Sequence, residues 1–385
     1  MSAGSLKVWS WLHTWTSLIC TVFMLLLCLT GLPLIFHHEI GHLLGTEINV
    51  PELPSGTEQM DLDQVLAIGE ARHPGKGGMF ISQEADDDRV WYLTMADTPR
   101  SETGLRQVAI DARTGDILGE PQLESGFMYI IRSLHIDLFA GLPGMLFLGL
   151  MGVLLLISLI SGAVLYSPFM RKLAFGEVRR QRTARIKWLD LHNLLGIVTL
   201  VWFFVVGATG VLNAWADLVV EAWQNDQLSE MLAPYQDQAA PETIGSLEAA
   251  VQAARAYQPG MQVQFVAFPG TSFSSPHHYG VFLRGNQALT AHLSQPVLVD
   301  ASTSLVSDSR PLPWYFTALQ ISRPLHFGDY GGKALQIIWA VLDIITIILL
   351  SSGIYLWLAK RRRKRAGYKS PMAQHNHLPA KEQST

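Results

Sequence analysis

The chain has 385 residues, 49% of them hydrophobic and only 16% charged, with a formal net charge of −4. That balance is unusual for a soluble protein. The only two cysteines, Cys20 and Cys28, lie in one apolar stretch, which excludes a disulfide staple elsewhere in the chain.

No charge lies between Lys7 and Glu39, between Asp137 and Arg171, or between Asp190 and Asp217, and Asp343 is the only charge from Ala334 to Ala359. A membrane-spanning helix needs about 20 apolar residues, so four spans are expected, at roughly 12–36, 144–167, 191–215 and 334–358. The first run is long for a signal peptide and no small-residue cleavage site follows it, so it reads as an uncleaved anchor. The chain then divides into 1–38 with the first span, an outer module 39–137, the second span in 138–170, a basic loop 171–190, the third span in 191–216, an outer module 217–333, the fourth span in 334–359 and a basic tail 360–385. Arg171, Lys172, Arg179, Arg180, Arg182, Arg185 and Lys187 crowd the short loop, and residues 360–365 are all basic. Basic loops stay in the cytoplasm, so both termini are expected there. The tail follows a membrane helix directly, so its charge points to orientation and anionic lipid rather than to nucleic acid.

The chain reads as two copies of one unit. Trp9-x-x-Leu12-His13 matches Trp188-x-x-Leu191-His192, and Arg132-x-Leu134-His135 matches Arg323-x-Leu325-His326. Between them, 61–75 (DLDQVLAIGEARHPG) resembles 246–260 (SLEAAVQAARAYQPG), each with an N-cap residue, a helical apolar period and a Pro-Gly stop. Val108-Ala-Ile-Asp111-Ala-Arg-Thr114 resembles Val297-Leu-Val-Asp300-Ala-Ser-Thr303, and both read as a strand entering a hairpin, with further strand-like stretches at 81–95 and 262–283. The expected architecture is an integral membrane α-helical protein with four spans in two parallel repeats and two outer α+β modules. Parallel repeats share an axis along the membrane normal.

Thr30-Gly31 follows His13 by 17 and 18 residues, and Thr209-Gly210 follows His192 by the same interval. Eighteen residues are about five helical turns, or roughly 27 Å, so each His and its Gly share a face at opposite ends of a span. Ser161-Gly162 follows His135 and Ser352-Gly353 follows His326, both by 26 and 27 residues, with the direction reversed. Each membrane level therefore receives two histidines from one helix pair and two glycines from the other. Two stacked bis-histidine haems would need this arrangement: imidazoles supply axial nitrogens and Gly31, Gly210, Gly162 and Gly353 let a porphyrin edge approach. Glycines also pack helices together, and a lone histidine can be an interface residue. Intramembrane ionisable groups are usually functional, and the pairing of the four histidines favours the haem reading. Arg132 and Arg323, three residues before their histidines, could grip haem propionates or sit solvated at the interface. His37 and His38 have no counterpart, and His38 is a reserve ligand candidate. Asp343 could relay protons or bind a neighbouring helix. His277-His278 has no evident metal partner, and no nucleotide fingerprint, nucleophile elbow, HExxH or CxxC occurs, so electrons would come from a separate donor.

These residues resemble the PepSY-associated transmembrane family, whose pattern places Leu-His at the start of a membrane helix, Thr-Gly or Ser-Gly near its end, and PepSY modules between helices. Here the pattern is Leu12-His13 with Thr30-Gly31, Leu134-His135 with Ser161-Gly162, Leu191-His192 with Thr209-Gly210, and Leu325-His326 with Ser352-Gly353, over residues 5 to about 365. Ser304 stands where the first module has its turn glycine, Gly115. The family includes bacterial inner-membrane ferric-siderophore reductases of the FoxB type. The resemblance implies two haem b groups per chain on His13, His192, His135 and His326, and a ferric siderophore, of hydroxamate type, reduced in the periplasm to release ferrous iron. A non-redox membrane-anchored PepSY regulator or peptide-binding protein is the competing expectation. A permease fits least, since four helices offer no polar pathway beyond Asp343.

Overall fold

A computed structural model describes residues 2–54, 56–84, 87–170, 174–287 and 290–369. It has four helices long and apolar enough to cross a membrane: Ala3–Ile35, Leu142–Met170, Ala184–Ala214 and Gly332–Lys369. The first and last run well past the apolar stretches expected at 12–36 and 334–358, because no proline or glycine stops them at the polar border. The chain forms two compact units, one drawn from Met1–Leu32, Phe147–Val211 and Ile337–Thr385, the other from Pro33–Leu146 and Leu212–Gln336.

The first unit is the body of the four-helix bundle. Cys20, Met24, Cys28, Met151, Leu155, Phe203, Leu349 and Leu350 form its buried core, with contributions from all four helices. Small residues bring backbones together there. A Cβ on Gly207 would lie 3.1 Å from Leu155, and one on Gly152 only 2.6 Å from Val211, which is the close approach expected between membrane helices. Both cysteines are free and buried. The mid-span carboxyl of Asp343 is buried close to the Cys28 thiol of the first helix, and its Oδ2 has no hydrogen-bond partner among the described residues.

The second unit is built on one eight-stranded sheet: β1 Gly77–Ser82, β2 Val90–Ala96, β3 Arg106–Asp111, β4 Ile117–Gly119, β5 Gln262–Ala267, β6 His278–Arg284, β7 Ser294–Asp300 and β8 Val306–Ser309, in the order β4-β3-β2-β1-β5-β6-β7-β8. All neighbours are antiparallel. The sequence suggests two separate modules; the structure fuses them along β1 and β5, with Phe80 opposite Ala267 and Ile81 opposite Val266. Each of these strands would otherwise be an open edge with unpaired backbone groups. Their union leaves only the short strands β4 and β8 outside.

One face of the sheet carries the helices Leu62–Arg72 and Leu247–Tyr257. Their Leu62, Val65, Leu247 and Val251 pack on Ile81, Leu93, Val281 and Leu283. Each N-terminus caps itself, through Asp61 to the Asp63 amide and Ser246 to the Ala249 amide. Each also caps the other. The Leu62 amide donates to Glu248 at 3.1 Å and the Leu247 amide to Asp63 at 2.6 Å. Carboxylates at helix N-termini are favoured by free N–H groups and the helix dipole. The opposite face of the second half is covered by Ala216–Trp223 and Trp314–Phe327, which bury Trp223 and Phe316 on Phe282 and Leu298. That double cover explains why every residue of β6 is buried.

Candidate functional site

The bundle brings His13 and His192 into a repeated setting. His13 Nδ1 lies 2.9 Å from the Ser158 carbonyl oxygen and 3.4 Å from Ser161 Oγ. His192 Nδ1 lies 2.8 Å from Ser352 Oγ and 3.2 Å from the Leu349 carbonyl oxygen. The serine hydroxyls settle the tautomer. Ser161 donates its only proton to the Ser158 carbonyl, and Ser352 donates its own to the Leu349 carbonyl. Each histidine must then donate from Nδ1, which leaves the Nε2 lone pair free. That is how metal-binding histidines are held: the second ring nitrogen is tied to an acceptor, fixing orientation and tautomer. His13 and His192 are close enough to interact electrostatically.

The glycines of the two Ser-Gly pairs face these rings. A Cβ on Gly162 would lie 3.1 Å from His13 Cε1, and one on Gly353 would lie 3.5 Å from His192 Cε1. The packing partner at Gly162 and Gly353 is thus the imidazole itself. Sequence spacing puts glycine at the right level but cannot say which flat ring it admits. Thr30 and Thr209 bond back to the carbonyls of Leu26 and Val205 at 2.8 and 2.7 Å, beside half-buried Gly31 and Gly210.

A second histidine pair forms within the sheet unit. His135 sits near the end of the helix Phe127–Ile136, and His326 near the end of Trp314–Phe327. Their ring centres are 6.2 Å apart with the planes at 62°. An imidazole nitrogen binds a metal at about 2 Å, so two rings on opposite sides of one metal have centres roughly 6 Å apart. Among the described residues no cluster of three or more His, Cys, Asp or Glu could hold a metal ion. A histidine pair by itself suits a metal that brings its other ligands with it, as haem iron does. Arg132 and Arg323, one turn before these histidines, are exposed, and neither forms an ion pair among the described residues. His38 instead turns Nδ1 to Glu47 at 3.2 Å and stacks near His37, with ring centres 4.1 Å apart.

Two features escape sequence reasoning. Asp190, two residues before His192, is buried and takes a two-pronged bond from Arg179, with Nη2 and Nε at 2.7 and 2.9 Å. Its position in the first copy is Trp11, so the repeat gives no hint of it. After His135, Leu138 and Phe139 both adopt left-handed backbone, at φ 57° and 59°. Such strain in non-glycine residues persists only where the surroundings impose it and clusters at functional sites. The second copy instead uses Gly328, at φ 81°.

A family profile described as the PepSY-associated TM region matches residues 10–360. An uncharacterized protein of Pseudomonas aeruginosa is 27% identical to the chain over 253 residues, 60% of this chain and 63% of the relative. The chain thus spans less than two thirds of that relative's length.

Proposed function

The chain belongs to the PepSY-associated transmembrane family, and from that premise we propose that it is a two-haem reductase of the bacterial inner membrane. It passes electrons outward to a ferric siderophore in the periplasm. The observation that carries this reading is the presence of two histidine pairs, one with both Nε2 atoms left free and one with ring centres 6.2 Å apart. His13 and His192 hold one haem b, and His135 and His326 hold the other. Haem supplies a one-electron redox centre whose potential the protein tunes.

The chain's own residues do the rest. The carbonyls of Ser158 and Leu349, with Ser352 Oγ, keep the first pair in the ligating tautomer. Arg132 and Arg323 offer guanidinium groups to carboxylates beside the second pair. The basic residues of the short loop and the tail support an orientation with those segments in the cytoplasm and the sheet modules in the periplasm. Electrons arrive from a separate donor. A bulky chelate never has to cross the bilayer, since only electrons do. Reduction weakens iron binding by hard oxygen ligands and so releases ferrous iron.

The test is direct. Purified protein expressed with adequate haem should show a reduced-minus-oxidised haem spectrum and two haems per chain. Dithionite-reduced protein should be reoxidised by a ferric hydroxamate siderophore, with ferrous iron appearing in ferrozine. His135→Ala and His326→Ala should slow that reoxidation far more than they lower the melting temperature. Absence of haem bands would overturn the reading in favour of a non-redox regulator.

A further inference from the structure

The helix Phe127–Ile136, which carries His135, has no buried residue. At 10 residues it extends about 15 Å, too short to cross a bilayer core of about 30 Å. Phe127, Ile130, Ile131 and Leu134 follow the i, i+3, i+4, i+7 pattern and so share one face, while Tyr129, Arg132 and Ser133 lie on the other. A helix of a folded domain normally turns its apolar stripe to the core. Here Phe127 and Ile130 stay 50% and 49% exposed.

The equivalent helix of the second copy, Trp314–Phe327, is held by protein. Its Phe316 and Leu319 are buried, and Phe316 packs with Trp223, Phe282 and Leu298. With His326 aligned on His135, Ala318 and Ser322 stand where the first helix has Phe127 and Ile131. Ser322 is 1% exposed, with its hydroxyl 2.6 Å from Asn213 Oδ1. Small and polar residues suit that protein-covered face; the first copy has large apolar residues on a face its own unit leaves open.

The segment that follows points to the cover. Residues 137–141 alone separate the short helix from the membrane span Leu142–Met170. Leu138 and Phe139 turn the chain through left-handed backbone, the Phe139 amide donates to Asp137 Oδ1 at 2.9 Å, and the Phe139 ring folds back to 6.0 Å from Tyr129. Phe139 is exposed, as are Leu142, Leu146 and Leu150 in the first turns of the span. Exposed apolar side chains thus run from the short helix onto the side of the span that meets lipid. Continuous apolar surface of this kind marks membrane contact.

We propose that the helix 127–136 lies along the bilayer surface at the end where this span begins. Phe127, Ile130, Ile131 and Leu134 dip into the boundary between headgroups and acyl chains, and Arg132 and Ser133 turn away from it. This lipid contact stands whether or not haem binds. His135 rides on a lipid-held helix, and His326 on a sheet-held one.

The full chain in phosphatidylcholine nanodiscs tests this by spin labelling. Single cysteines are placed in turn at Phe127 through Leu134, and power saturation reads the access of each label to oxygen, which favours lipid, and to a water-soluble nickel chelate. Leu150→Cys in the span serves as the lipid reference, and the wild-type chain, whose Cys20 and Cys28 are both buried, gives the background. Oxygen access should peak at 127, 130, 131 and 134, approach the Leu150 value there, and run out of phase with chelate access, which should peak at 129, 132 and 133. Chelate peaks at 127, 130, 131 and 134 would show a face in water and overturn the proposal. Low access to both reagents at those positions would show a protein cover, such as a second copy of the chain, and overturn it equally. The phase is read from the whole series, so one variant that fails to fold leaves the test decisive.

Discussion

A methyl group added at Gly162 would sit 3.1 Å from His13 Cε1 and 3.3 Å from His13 Nδ1. Non-bonded carbons rest at about 3.5–4.0 Å, so the ring or the helix must give way by a few tenths of an ångström. The ring has little freedom, because its Nδ1 is held 2.9 Å from the Ser158 carbonyl on the same helix as the glycine. Overpacking of this kind costs about 1–3 kcal/mol, equivalent to roughly 5- to 150-fold in ligand affinity at about 1.4 kcal/mol per tenfold. At Gly353 the same methyl would lie 3.5 Å from His192 Cε1 and 4.0 Å from Nδ1, an ordinary contact. Gly162→Ala should therefore lower the haem-to-protein ratio toward one per chain and reduce the melting temperature, while Gly353→Ala should leave both near wild type. Pyridine haemochrome assays and thermal melts of the purified variants read the two effects. Equal behaviour of the two alanine variants would refute the claim that Gly162 makes room for the His13 ring.

The serines differ in the same diagnostic way. Ser352→Ala removes the 2.8 Å acceptor of His192 Nδ1, whereas Ser161→Ala removes only a 3.4 Å neighbour of His13. Loss of such an outer partner typically costs 10- to 100-fold in metal affinity, so Ser352→Ala should weaken haem retention or shift a midpoint potential in a redox titration, and Ser161→Ala should not. In the sheet unit, Ser304 holds φ 56° where its counterpart Gly115 holds 76°. Ser304→Gly relieves that strain and should raise stability by about 1 kcal/mol, seen as a higher melting temperature. Lower stability in that variant would mean that the serine side chain contributes more than the strain costs. His278 is fully buried between Ser275 Oγ at 2.7 Å and Ser307 Oγ at 3.1 Å, and burial pushes its pKa down to about 4. The unfolded chain binds the proton from about pH 6.5 downward while the fold does not. Stability of the sheet unit should therefore fall as pH drops from about 6.5 to about 4. His278→Gln should flatten that part of a pH-melting curve, and an unchanged slope would show that another group carries it.

The sequence alone determined the features that depend on composition and period. Charge-free runs of bilayer length can only be helices where backbone groups must satisfy themselves, so the four spans were legible. So were the two helices at Leu62–Arg72 and Leu247–Tyr257, because an N-cap residue and a Pro-Gly stop are local signals. The pairing of His135 with His326 was legible because equivalent positions of a two-copy chain invite it. Only the tertiary structure decided how groups remote in sequence meet. The fusion of β1 with β5 depends on edge complementarity between strands some 180 residues apart, and no local propensity encodes that. The reciprocal caps of Asp63 and Glu248 need two helix starts to face each other. The tautomers of His13 and His192 follow from serine protons on a different helix. Gly162 and Gly353 were found by spacing, but their partner is the histidine ring, because the space around a glycine belongs to whatever folds against it.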